Sequence, residues 1–188
     1  NLSGMWQILF PERYVRYLDL PQNFDMAVGG AFFKRELAEF MHDLAAVTGT
    51  PVTDQSLRDA LALYNANRRQ LDALYRLRVA EPWQVPTSDL FLLMRAGNVM
   101  PVEEHTALLA EYRAACAAEP RRPLDMARVA VRGCFCEQPP LDLVRTLERS
   151  GCYIVDDDWV MAARWIQSEV PLEGDPLENL VGAFLAHS

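Results

Sequence analysis

Residues 128–158 decide the fold, and they read RVAVRGCFCEQPPLDLVRTLERSGCYIVDDD. Short runs rich in valine and isoleucine predict two β-strands, Arg128–Arg132 and Cys152–Val155. Apolar residues at helical spacing predict a helix between them, and Gly151 is the residue expected to end it. Two strands joined through a helix form a βαβ unit, in which the strands run parallel. The stretch therefore predicts an α/β fold.

The region before this unit is predicted to be helical, which makes the fold α-rich. Apolar periodicity predicts four helices in residues 25–122, with glycines or prolines between them. The apolar face of the second helix includes Leu71, Leu74 and also Arg78. A charged, proline-bearing connector, Pro120–Pro123, follows the last of these helices.

These patterns predict three parts. Residues 1–24, with a predicted strand at Val15–Leu20, are expected to end an N-terminal α/β domain. Residues 25–122 form a helical middle domain. Residues 123–188 begin a C-terminal α/β domain with a Rossmann-like or flavodoxin-like parallel βαβ unit. The first residue is Asn1, so we expect an internal piece of a larger protein.

Composition excludes several classes of partner. The net charge is −8 and no basic stripe is present, which argues against nucleic acid as a partner. No apolar run approaches the roughly 20 residues that span a bilayer, and no signal peptide is visible. The sequence predicts a soluble cytoplasmic protein without a membrane partner.

The loops that leave the two strands are the predicted site. Loops at the carboxyl ends of parallel strands line the crevice where α/β folds bind ligands. Here these loops are residues 133–140 and 156–159, so we expect them to be neighbours in space. The side chains brought together are Cys134, Cys136, Glu137 and Gln138 on one loop and Asp156, Asp157, Asp158 and Trp159 on the other.

Structural explanations exist for the same residues. The aspartate triplet is also typical of a helix N-cap. Pro139 and Pro140 would also stiffen the entry to the following helix, and Cys134 also suits a small buried hydrophobe. Cys116 and Cys152 are expected to be reduced structural thiols. His42 and His105, each within a helical pattern, are expected to be solvated or hydrogen-bonded rather than catalytic.

Long stretches of the chain resemble the C (gamma) subunits of ATP-dependent benzoyl-CoA reductases, in the superfamily of the 2-hydroxyacyl-CoA dehydratases. The dehydratases usually end the second strand in Asp-Asp-Leu-Cys, whereas this chain has Asp157-Asp158-Trp159, which favours the reductase branch. The stretches that carry the resemblance are Asn1–Trp6, Tyr14–Tyr17, Tyr64–Arg68, Leu93–Gly97, Pro101–His105, Gly133–Leu141, Ser150–Asp158 and Gly174–Leu177.

The resemblance implies a role in the anaerobic degradation of aromatic compounds. Such a complex reduces the ring of benzoyl-CoA to a cyclic dienoyl-CoA. Two homologous subunits carry 4Fe-4S clusters and the acyl-CoA site, and ATPase activator subunits bind ATP and Mg and deliver electrons from ferredoxin. The family's usual cluster cysteines fall outside these 188 residues, so the isolated chain is expected to be inactive.

The resemblance and the position of the loop together suggest roles for individual residues. Cys136 is predicted to be a cluster ligand, and Glu137 a proton donor or an orienting group. Gln138, Asp157 and Trp159 are predicted to bind substrate, Gln138 by donating to the thioester carbonyl or to a cluster sulfur. Two alternatives remain open: a 2-hydroxyacyl-CoA dehydratase subunit, and a scaffold domain without catalytic function.

Overall fold

The computed structural model describes residues 2–133, 139–159 and 168–186. Two compact units are present. The first comprises the residues up to Ala62 together with those from Val170 onward, and the second comprises Leu63–Glu169. In chain order the described elements are α1 (Leu2–Leu9), α2 (Ala31–Thr48), α3 (Asp54–Ala80), α4 (Thr87–Ala96), α5 (Val102–Ala118), β1 (Ala127–Val131), α6 (Leu141–Arg149), β2 (Cys152–Asp157) and α7 (Pro176–Ala186).

The first unit is built on packing between α2 and α7. The rings of Phe33 and Phe184 lie 4.7 Å apart between centroids, and Phe33 is buried. Lys34 Nζ donates to Asp175 Oδ2 at 3.0 Å and to Glu178 Oε1 at 2.6 Å. Aromatic contact and ion pairs therefore join two helices that are distant in sequence.

The predicted strand at Val15–Leu20 is wrong. Residues 14–20 form no helix or strand in the described structure. Alternating side chains suit a pleated surface, but a strand exists only where a neighbour accepts its backbone hydrogen bonds. Arg16 instead anchors this segment to α2 through Asp43, at 2.6 Å, and Glu39, at 3.0 Å.

The second unit contains the predicted helices α4 and α5, which pack against the later part of α3. The four helices predicted for residues 25–122 are confirmed, with Gly49 in the left-handed conformation after α2. No helix in the described ranges is both long and apolar enough to cross a membrane. The buried core of this helical cluster consists of Leu71, Leu74, Val85, Leu90, Leu93, Met94, Leu109 and Cys116.

The sheet of the second unit consists of β1 and β2, which pair in parallel. The predicted α-rich α/β class and the parallel strand pair are therefore confirmed. α6 connects the strands, and Val144, Ile154, Phe91 and Trp159 form the core between this sheet and its helices. Thr87 Oγ1 donates to the carbonyl of Ile154 at 2.8 Å, which fixes the start of α4 to the middle of β2.

A β-bulge interrupts the pairing between Val129 and Ala130. Val129 is opposite Ile154, but Ala130 is opposite Asp156, so Val155 is the extra residue on β2. Ile154 and Asp157 are consequently both buried although they are three residues apart. The bulge therefore decides which aspartate of the triplet faces the interior.

The predicted division at residues 24/25 and 122/123 stays a prediction. The boundary between the compact units falls within α3 and again before Val170.

Candidate functional site

A pocket of about 200 Å³ lies at the carboxyl ends of the two strands. Its walls are mostly apolar, which is the usual character of a small-molecule site. Both described ends of the loop that follows β1, Gly133 and Pro139, line it. The lining comprises Val131, Arg132, Gly133, Pro139, Leu143, Val144, Leu147, Asp158 and Trp159.

The two predicted loops meet at this pocket. The backbone N–H of Gly133 donates to Asp158 Oδ1 at 3.2 Å, and Arg132 forms an ion pair with Asp156. Residues separated by about two dozen positions are therefore neighbours, because parallel strands end at the same edge of the sheet. The predicted site residues Cys134, Cys136, Glu137 and Gln138 lie outside the described residues.

Asp157 is buried behind the pocket and both of its carboxylate oxygens are engaged. Arg78 Nη1 donates to Oδ2 at 2.8 Å, and the backbone N–H of Trp159 donates to Oδ1 at 3.3 Å. Both side chains of the ion pair are 1% exposed. A buried ion pair of this kind is strongly destabilised if one partner is removed, since the other charge is then left without compensation.

Arg78 brings unsatisfied hydrogen-bonding capacity to the same place. Within the part of the chain that the structure describes, its Nε and Nη2 atoms and the hydroxyl of Tyr75 are buried without a hydrogen-bond partner. The guanidinium lies 4.4 Å above the Tyr75 ring, in cation–π contact. Burial raises the pKa of Tyr75 far above its usual value, and the charges of Asp157 and Asp156 raise that pKa further.

Trp159 forms the aromatic part of the pocket. Its side chain is 7% exposed and packs edge-on against Phe91 with 6.1 Å between ring centroids. The indole therefore presents a small fixed surface to the pocket while most of it belongs to the core. Asp157 orients the backbone of this residue through the hydrogen bond described above.

The described cysteines do not form a metal site. Cys116 is buried in the helical core and its Sγ donates to the carbonyl of Gln84 at 3.4 Å. Cys152 is half-buried at the amino end of β2, the opposite end of the strand from the pocket. Both are free thiols, as predicted. Among the described residues, no group of three or more His, Cys, Asp or Glu side chains is placed to hold a metal ion.

The prediction from the sequence missed Arg78 and Tyr75 as parts of this region. The signal was present, because Arg78 continues the apolar face of α3 that Leu71 and Leu74 form. An arginine on a buried helix face requires a buried anion. The sequence does not show which anion, since Asp157 is 79 residues away.

The fold and the pocket define an α-rich α/β protein with a candidate ligand site at the carboxyl edge of a parallel sheet. The family model for the D-component of 2-hydroxyglutaryl-CoA dehydratase matches residues 1–188, so the chain belongs to that family. The resemblance found in the sequence is thereby confirmed.

Individual relatives differ in similarity. The benzoyl-CoA reductase C (gamma) polypeptide of Thauera aromatica is 48% identical over all 188 residues, which cover 49% of that protein. Lactoyl-CoA dehydratase subunit beta of Anaerotignum propionicum is 28% identical over 97% of this chain and 48% of its own length. (R)-2-hydroxyglutaryl-CoA dehydratase subunit beta of Acidaminococcus fermentans is 26% identical over 86% of this chain and 42% of its own length. The chain thus spans about half the length of these relatives.

Proposed function

We propose that the chain is part of a subunit of an ATP-dependent benzoyl-CoA reductase. This enzyme adds two electrons and two protons to the aromatic ring of benzoyl-CoA and yields a cyclic dienoyl-CoA. The observation that carries the proposal is the identity of 48% to a benzoyl-CoA reductase subunit, against 28% and 26% for the two dehydratase subunits. The remaining parts of the complex are a homologous cluster-bearing subunit, ATPase subunits that bind ATP and Mg, and ferredoxin. We propose that this complex acts in the cytoplasm.

The assay that tests the proposal uses the complete complex with its ATPase subunits, ATP and a reduced low-potential electron donor. Dearomatisation of benzoyl-CoA is the expected activity. Dehydration of 2-hydroxyacyl-CoA substrates without benzoyl-CoA reduction would identify a dehydratase subunit instead. Absence of both activities and of iron from the intact complex would identify a scaffold protein.

A 4Fe-4S cluster would supply electrons at low potential to this reaction. Cys116 and Cys152, the described thiols, do not fit such a cluster, because they lie apart from each other and from the pocket. We propose Cys136 as the ligand that this chain contributes, on the basis of its place in the loop between Gly133 and Pro139. In the intact complex, Cys136→Ala should lower the iron content and change the EPR spectrum, with Cys152→Ala as the matched control.

Glu137 is our proposed proton donor, because ring reduction needs a proton close to the electron source. A carboxyl group in an apolar pocket keeps its proton more readily than one in water. The walls of the pocket beside this loop are mostly apolar, which supports the proposal. Glu137→Gln should abolish turnover while leaving the iron content unchanged. Full turnover of this variant would exclude the role.

Three further residues are proposed to bind or position the substrate. Gln138 is proposed to donate to the thioester carbonyl. Trp159 is proposed to contact the acyl group directly, since it lines the pocket. Asp157 is proposed to act through Trp159, because its oxygens already accept from Arg78 and from the backbone of Trp159.

Steady-state kinetics separate these proposed roles. Trp159→Leu should raise KM for the acyl-CoA more than it lowers kcat, since the indole contributes binding surface. Trp83→Leu is the control, because Trp83 packs against Tyr153 at 6.4 Å between centroids and does not line this pocket. Equal KM values for both variants would contradict the role of Trp159.

A further inference from the structure

A second pocket, of about 110 Å³, lies in the helical part of the second unit. Three of the stretches that carry the family resemblance meet there: Tyr64–Arg68 on α3, Leu93–Gly97 on α4 and Pro101–His105 at the start of α5. The proposed reductase function does not use them. The lining comprises Tyr64, Asn67, Arg68, Leu71, Met94, Gly97, Asn98, Met100, Val102 and His105.

One wall of this pocket is fixed by a hydrogen-bond network around His105, which is 4% exposed. Its Nε2 lies 2.9 Å from the carbonyl of Leu93, so Nε2 carries the proton and donates. Asn67 Nδ2 then donates to His105 Nδ1 at 3.0 Å and to Thr106 Oγ1 at 2.9 Å. The ring is therefore a neutral structural histidine, as predicted, and its nitrogens are not available to a ligand.

Gly97 allows the His105 ring to take this position. A Cβ atom at residue 97 would lie 2.6 Å from Cε1 of the ring, closer than real side chains approach. The glycine and the histidine together form a rigid, preorganised wall. Preorganisation of this kind lowers the entropic cost of binding a ligand.

Arg68 is the charged group of the pocket. It is half-buried, and its Nη1 donates to Asn65 Oδ1 at 2.9 Å. Burial lowers the pKa of Arg68, which shows that its charge is only partly compensated. Glu169 acts in the opposite direction, but its carboxylate is bound to Arg69 at 2.5 Å. A half-buried guanidinium that holds a neutral amide has remaining donors for an anion.

The rest of the lining is apolar on one side, through Leu71, Met94, Met100 and Val102. A ligand that satisfies both sides has an anionic head and a short hydrocarbon tail. The pocket is smaller than the cavity of roughly 150 Å³ that accommodates benzene, which excludes an aromatic acid. We propose that this pocket binds a short-chain aliphatic carboxylate, such as butyrate, with its head on Arg68.

Calorimetric titration of the intact protein with butyrate tests this site. Arg68→Gln should weaken binding at least about tenfold, because a charge-assisted hydrogen bond is lost. Arg69→Gln is the matched control, since Arg69 is the adjacent arginine and its side chain is exposed. Circular dichroism and thermal melts should show that both variants remain folded.

Three further probes define the chemical class. Butyramide has nearly the same shape without the charge, inorganic phosphate has charge without a tail, and benzoate is too large; each should bind at least about tenfold more weakly than butyrate. No heat from butyrate, equal affinity in Arg68→Gln, or equal affinity for any of the three probes would overturn the proposal. None of these outcomes depends on reductase activity, so the two proposals are tested separately.

Discussion

Arg78 on α3 and Asp157 at the end of β2 form a buried ion pair, with 2.8 Å between Nη1 and Oδ2. The pair joins the helical cluster to the carboxyl edge of the sheet, where Trp159 and Gly133 line the candidate site. Through the hydrogen bond from the Trp159 backbone, the same carboxylate also sets the turn that follows β2. The geometry of the site therefore depends on a residue that lies far from it in sequence.

Removal of either partner should destabilise the second unit. Arg78→Met or Asp157→Asn is expected to cost about 3–5 kcal/mol, because the remaining charged or polar group stays buried without its partner. The double change Arg78→Met with Asp157→Leu should cost much less than the sum of the single changes. Urea unfolding followed by circular dichroism provides the free energies.

The matched control for this pair is its exposed neighbour, the ion pair of Arg132 with Asp156. These side chains are 60% and 47% exposed, so water already solvates both charges. Arg132→Gln should cost no more than about 1 kcal/mol. A loss as large as that of Arg78→Met would show that burial is not what makes the Arg78 pair important.

Gly97→Ala tests the close contact with His105. The backbone of Gly97 has a φ of −62°, which alanine adopts freely, so any loss of stability arises from the contact between Cβ and the ring. We expect a loss of about 1–3 kcal/mol, since the ring is held on both nitrogens and must move. Thermal unfolding is a sufficient measurement.

Gly182→Ala is the control for that experiment. Gly182 lies within α7 and a Cβ atom there would meet nothing within 4 Å. This variant should gain about 0.5–1 kcal/mol, because alanine favours the helix and restricts the unfolded chain. If both alanine variants were stabilised, the His105 contact would not be a constraint.

Tyr75→Phe should reduce the loss of stability in alkaline solution. The folded-state pKa of Tyr75 is raised by burial and by the charges of Asp157 and Asp156. Above pH of about 10 the unfolded chain releases this proton while the folded chain retains it, so stability falls as the pH rises. Below that pH the contribution is fully present. Unfolding free energies measured on either side of pH 10 should differ less in the variant.

The same substitution separates Tyr75 from Tyr112 at neutral pH. The Tyr75 hydroxyl has no partner among the described residues, so Tyr75→Phe should leave stability equal or higher. Tyr112 donates to Asp89 Oδ2 at 2.9 Å, and Tyr112→Phe should cost about 1–2 kcal/mol. Equal losses for both variants would indicate a partner for the Tyr75 hydroxyl.

Asp175 is expected to cap α7 and to contribute acid sensitivity to the first unit. Its Oδ1 accepts from the N–H groups of Leu177, at 2.9 Å, and Glu178, at 3.1 Å, just before Pro176 begins the helix. Asp175→Ala should cost about 1 kcal/mol by denaturant unfolding at neutral pH. A cost near zero would argue against the cap.

Asp175→Asn tests the charge at the same position. The bond from Lys34 is the largest cause of the lowered pKa of Asp175, and the helix N–H groups lower it further. The corresponding stability is present above the unfolded pKa of about 3.9 and is lost as the pH falls through the lower folded value. Asparagine retains the cap, so this variant should be close to the parent at pH values below the folded pKa. A steeper acid loss in Asp175→Asn would contradict this assignment.

Local pattern was sufficient for the helices and for the parallel strands. Gly49 after α2, Pro101 before α5 and the apolar repeats between such residues are local signals. The alternation at Val15–Leu20 misled, because no strand pairs with it in the described structure and Arg16 bonds to α2 instead. A strand requires a neighbour, and a neighbour is not a local property.

By itself, the sequence determined the α-rich α/β class, the two loops that meet at the edge of the sheet and the membership in the dehydratase family. Only the tertiary structure decided which aspartate faces the interior. Strict alternation after Ile154 would bury Asp156, but the bulge at Val155 turns Asp157 inward and leaves Asp156 with Arg132 at the surface. Arg78 requires that inward carboxylate, since a guanidinium in the core is stable only beside an anion.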